Sequence, residues 1–216
     1  MKTQMKFDLK DKKRILAVLA AVIIMGFSLS FLIRLNFGTD PCSSMNLGIS
    51  NKLSLSFGSW QVIFNSLLFI IVILYDRTQI GWGTLANMLL VGYCADFFTW
   101  LFNQILPAGA FQSLLIRIAV LLPALILFIL SAAVYMAVDL GSAPYDATVF
   151  ILASRFRRIP FRVIRMAWDL TACIIGFLMG TTIGFITVAI AFLLGPVIAW
   201  VKTRLDKVFF QTAQAS

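Results

Sequence analysis

The chain has 216 residues, 61% hydrophobic and only 12% charged, and its mean hydropathy of +0.95 lies well outside the range of soluble globular domains. Eighteen basic and nine acidic residues leave a net charge of +9, and the chain contains neither His nor Glu. Those absences exclude His-dependent triads, zincin motifs and His-ligated haem within the chain. With no paired-carboxylate spacing either, an enzyme is the least expected class, and no catalytic residue, metal or cofactor is assigned.

A hydrocarbon core of roughly 30 Å takes about 20 apolar helical residues to cross. Six windows qualify, 15–35, 57–75, 80–102, 114–138, 160–179 and 182–201. Their apolar runs lack the alternation of a transmembrane barrel, so an all-α membrane protein is expected. The tail before the first span, "MKTQMKFDLKDKKR" at 1–14, is basic. The apolar run after it is too long for the core of a cleaved signal and reads as an uncleaved signal anchor. The positive-inside rule puts the tail in the cytoplasm.

Six crossings then leave fifteen of the eighteen basic residues inside, among them Arg155, Arg157, Arg158, Arg162 and Arg165, and only Arg34, Lys52 and Arg117 outside. Both termini are therefore expected in the cytoplasm. The anionic headgroups of the bilayer are partner enough for this basic surface, with no nucleic acid required. The Arg155–Arg158 group reads as a snorkelling anchor.

The first span ends at "NFGTDPCSSM", and the fourth at "DLGSAPYDAT". A shift of 103 positions carries Gly38 and Pro41 onto Gly141 and Pro144. The same shift carries Thr78, Ile80, Gly81 and Thr84 onto Thr181, Ile183, Gly184 and Thr187, and Gly92 onto Gly195. Ordered Gly, Pro and Thr matches point to an internal duplication. The units are residues 15–102 and 114–201, joined by an extracytoplasmic linker at 103–113 and followed by a cytoplasmic tail at 202–216. Three crossings per unit make the repeats inverted, as in many secondary transporters.

Within each unit, Gly38 with Pro41, and Gly141 with Pro144, shape a backbone break followed by a short helix. At about 12 residues these helices suit re-entrant or interfacial segments. If re-entrant, they border a protein-lined cavity, and their N-termini suit anionic groups.

Several polar residues lie inside the spans. Asp169 has no basic residue within one turn on either side, so it should face the bundle interior, pair across helices or be protonated. Asn65 and Ser66 occupy the matching depth in the second span. Asp96 and Arg117, at similar depth on consecutive spans, are expected to form a structural ion pair. Tyr145, Asp146 and Ser43 flank the two breaks and, with Asn65 and Asp169, are the candidate substrate-binding groups. Cys42, Cys94 and Cys173 have no metal-ligand spacing and read as small buried residues.

The stretches "LNFGTDPCSSMNLGIS", "SFGSWQVIFN", "IGWGTLANMLLVGYCADFF", "VDLGSAPYDATVF" and "IGFITVAIAFLLGPVIAW" together resemble the YczE/YyaS/YitT family of bacterial integral membrane proteins. Gly141, Pro144, Tyr145 and Asp146 match its Gly-x-x-Pro-aromatic-Asp motif. Gly81, Gly83 and Thr84 match its Gly-x-Gly-Thr turn, and Gly195 with Pro196 its late Gly-Pro. In the first copy Cys42 and Ser43 stand where an aromatic residue and Asp are expected. The likeness is to the short YczE-like branch and implies a multi-pass protein of the bacterial inner membrane. The leading expectation is a small secondary transporter or exporter of an unidentified small solute, with a homodimer as an expected assembly. The alternative is a non-transporting scaffold or accessory subunit of a membrane-associated or secretion process.

Overall fold

The computed structural model describes residues 12–107 and 109–209, with side chains through Arg204. Lys2, Lys6 and Lys10 of the basic tail lie outside that range, as does the side chain of Lys207. The described chain is helical: α1 (Lys12–Leu35), α2 (Pro41–Lys52), α3 (Phe57–Tyr75), α4 (Trp82–Ile105), α5 (Leu114–Val138), α6 (Pro144–Arg155), α7 (Phe161–Leu178) and α8 (Phe185–Phe209), with a 3₁₀ turn at Arg77–Gln79.

Five helices, α1, α3, α4, α5 and α8, are long and apolar enough to cross a membrane. Two of them carry exposed apolar side chains, Leu74 on α3 at 71% and Leu115 on α5 at 80% relative exposure, as expected where lipid replaces water. The expected fifth crossing, α7, has 18 residues and carries Arg162, Arg165 and Asp169, so length and composition do not by themselves make it a span. The last helix continues to Phe209, past the expected end at 201.

Both breaks have one backbone conformation. Asn36 and Asp139, related by the 103-residue shift, end α1 and α5 in the left-handed region at φ 54° and 57°, which Asn and Asp tolerate better than most residues. Two residues on, Gly38 and Gly141 have φ 99° and 104°. Both also sit against the opposite half. A Cβ on Gly38 would lie 2.6 Å from Thr187 Oγ1 and 2.8 Å from Gly184 N, and one on Gly141 2.5 Å from Thr84 Oγ1 and 2.6 Å from Gly81 N. Only glycine meets both demands.

The core is built on α1 and α5, which run antiparallel: Arg14 at the start of α1 donates to the carbonyl of Val138 at the end of α5. Arg117 near the start of α5 donates to the carbonyl of Leu35. α4 packs on α1 and α8 on α5, around fully buried Val22, Leu29, Leu32, Ile186 and Ile190. The short helices are exchanged between halves. α2 lies on α7, where Gly176 comes against the backbone of Ser44 and Met45, and α6 lies on α3 through Ala147, Val72 and Ile151.

Candidate functional site

Each short helix begins as its Pro dictates. Pro41 opens α2 behind an Asp40 N-cap whose Oδ2 accepts from Ser43 N at 3.0 Å. Pro144 opens α6, and Asp146 stands in its first turn. A first-position Pro loses no hydrogen bond there, and an acidic group offsets the positive helix end. The expected N-terminal anion sites are thus already supplied with carboxylates from the chain itself.

The two N-termini face one cavity of about 280 Å³, which Asp40, Ser43, Tyr145, Asp146, Arg165 and Asp169 line on its polar side. Arg165 Nη1 meets Asp146 Oδ1 at 2.5 Å, and its Nε meets Asp169 Oδ2 at 2.8 Å. Tyr145 donates its hydroxyl to Asp169 Oδ1 at 2.8 Å, and its ring packs against Trp168 at 5.6 Å between centroids. The arrangement is a four-residue network holding α6 to α7. Asn65, Gln61 and Asn87 add amides, and Phe128, Phe161 and Leu194 supply apolar wall.

The candidate residues Asp146, Asp169, Tyr145, Asn65 and Ser43 therefore come together around one space. Pro41 joins them, while Gly38 lines a smaller polar cavity of about 160 Å³ near Thr39, Ser44 and Thr181. Asp169 is not without a cation: Arg165, four residues earlier and just beyond one turn, is its partner. Arg165 accordingly lines the cavity, apart from the exposed Arg155, Arg157 and Arg158.

Asp96 and Arg117 are not brought together. Asp96 Oδ2 accepts from Gly58 N at 2.8 Å, whereas the Arg117 guanidinium lies 4.2 Å from the Phe37 ring centroid. Sequence reasoning also passed over Asp40, although an Asp directly before Pro41 is an N-cap signal. Among the described residues no group of His, Cys, Asp or Glu is placed to hold a metal ion. The three thiols are free.

The walls of the cavity are unequal. In one half Gly58 of α3 meets Gly92 of α4 so closely that a Cβ on Gly92 would lie 2.7 Å from Gly58 Cα. The equivalent positions in the other half are Phe161 of α7 and Gly195 of α8, both lining the cavity, and a Cβ on Gly195 would meet nothing within 4 Å. The α3–α4 seam is closed and the α7–α8 seam is open.

Residues 12–203 match the model of a family described as of unknown function, DUF6198. The chain belongs to the DUF6198 family. This DUF6198 member is 28% identical over 177 residues to the Bacillus subtilis "Uncharacterized membrane protein YczE", covering 82% of this chain and 79% of that one. It is 24% identical over 137 residues to YyaS of the same organism, covering 63% and 67%. A Haemophilus influenzae "Uncharacterized protein" is 25% identical over 186 residues, covering 86% and 82%. No solved structure matches the chain. The resemblance read from the motifs holds, and the apolar helices agree with the description of YczE as a membrane protein: this DUF6198 member is a membrane protein.

Proposed function

We propose that the protein is a small secondary transporter of the cytoplasmic membrane, with both termini inside and α7 crossing in addition to the five apolar helices, working by alternating access around the central cavity. Antiparallel α1 and α5, the shared break geometry and the exchanged short helices support reading the halves as inverted repeats. The observation that carries the proposal is the inequality of the two seams. Symmetry-related helices that pack tightly in one half and stand apart in the other are what a protein caught open to one side would present. With the Arg155–Arg162 end of the second half inside, the open side is the cytoplasmic one.

The outward-facing state would exchange these roles, bringing α7 onto α8 and parting Gly58 from Gly92. Asp96, bonded to Gly58 N, is then a latch on the outer seam, and its counterpart Ala199 supplies none. The test is thiol labelling of a cysteine-free protein in oriented membranes. Ala191→Cys, on the cavity wall, should react with an impermeant reagent from the cytoplasmic side, and Gln61→Cys should react from the outside as well, at a slower rate. If Gln61→Cys never reacts from outside, while the protein remains folded, the alternating-access proposal fails and a static scaffold is the better description.

A further inference from the structure

The charge of the cavity points to the class of solute, an inference that rests on the transport reading of the same site. Among the described residues its charged lining groups are Asp40, Asp146, Asp169 and Arg165; with each ionised, three carboxylates stand against one guanidinium. The positive ends of α2 and α6 are worth about half a charge each. They offset about one of the two surplus negative charges, leaving about one unbalanced. Asp40 is the carboxylate of the three that Arg165 does not bond; its Oδ2 accepts from Ser43 N at the start of α2.

An occupant that balances this charge therefore has to bring one positive charge. The rest of it has to be apolar, because Phe128, Phe150, Phe161, Leu194 and Ile198 also line the cavity. An anion would face three carboxylates, and the one guanidinium is already divided between Asp146 and Asp169. We propose that the central cavity takes a monovalent amphipathic organic cation, a protonated amine on a small apolar body, with its ammonium group received by Asp40 and the apolar body against the aromatic wall.

The test uses the full chain in lipid nanodiscs and three probes of nearly one shape: 2-phenylethylammonium, neutral 2-phenylethanol and anionic phenylacetate. Sodium chloride at equal ionic strength is the control. Binding is read by titration calorimetry and by the rise in Tm, since a ligand selective for the native state raises it. The cation should bind at least about tenfold more tightly than either analogue. Asp40→Asn, which keeps an N-cap, should weaken it by about thirty-fold or more, as expected when one member of a desolvated charge pair is removed.

Equal or tighter binding of phenylethanol or phenylacetate would overturn the proposal. So would failure of the cation to bind at millimolar concentration, an equal effect of sodium, or undiminished binding by a folded Asp40→Asn protein. Should that variant not fold, the ranking of the three probes by the unaltered chain decides alone. Cation binding without uptake into proteoliposomes would remove the transport reading and leave the preference for cations standing. Uptake of phenylacetate without cation binding would do the reverse.

Discussion

Replacing Arg165 by Met tests the network that ties α6 to α7. The guanidinium bridges Asp146 and Asp169 at 2.5 and 2.8 Å, with side-chain exposures of 27% for Arg165 and 17% and 10% for its partners. Removing one member of a buried pair costs about 3–5 kcal/mol, because the other charge stays buried without a partner. Partial exposure of Arg165 moves the expectation to the low end, about 3 kcal/mol. For a chain of this size that is a fall in Tm of about 6–12 °C, measured on the purified protein in nanodiscs. Adding Asp146→Asn and Asp169→Asn to the same protein should recover most of the loss, since the charges that need Arg165 are then gone. Arg158→Met, at an exposed position, is the control for loss of an exposed arginine and should change Tm by no more than about 2 °C. A comparably small change for Arg165→Met, or no recovery by the two carboxamides, would refute the network as a structural tie.

Gly92→Ala should destabilise by about 1–3 kcal/mol through its contact with Gly58, whereas Gly195→Ala, with open space around it, should be close to neutral in a thermal melt. Gly184→Ala should be worse than either, because its Cβ would lie 2.0 Å from the Phe37 carbonyl oxygen; yield and monodispersity on gel filtration check this. Tyr145→Phe removes only the hydroxyl that donates to Asp169 and should cost about 1.5–3 kcal/mol by the same melt, the range for a hydrogen bond to a charged group.

The helices were legible in the sequence because long apolar runs and Pro or Asx boundaries are local signals. The expected 57–75 and 114–138 coincide with α3 and α5, and the short segments begin at Pro41 and Pro144 as their start signals require. The two breaks were legible for the same reason, since Gly38 and Gly141 answer to a backbone need that few other residues meet. Side-chain partnership was much less so. Arg165 sits in a run of arginines and counts as one more inside charge, yet four residues place it on the face of Asp169, and the fold then adds Asp146 from another helix. Asp96 and Arg117 lie at similar depth, but depth does not say which way a helix is turned. The inequality of the seams was not legible: Phe161 stands where the 103-residue shift puts Gly58, but how far apart two helices stand depends on how the halves pack.

The coupling between those seams is the most direct test. Spin labels at exposed Arg162 and Lys202 report the α7–α8 separation, and labels at exposed Leu55 and Trp100 report that of α3 and α4. Pulsed EPR distances for both pairs should be compared with and without Gly92→Leu, which wedges the outer seam. Alternating access requires the Leu55–Trp100 distance to lengthen and the Arg162–Lys202 distance to shorten together. An outer seam that opens while the α7–α8 distance stays fixed would contradict it.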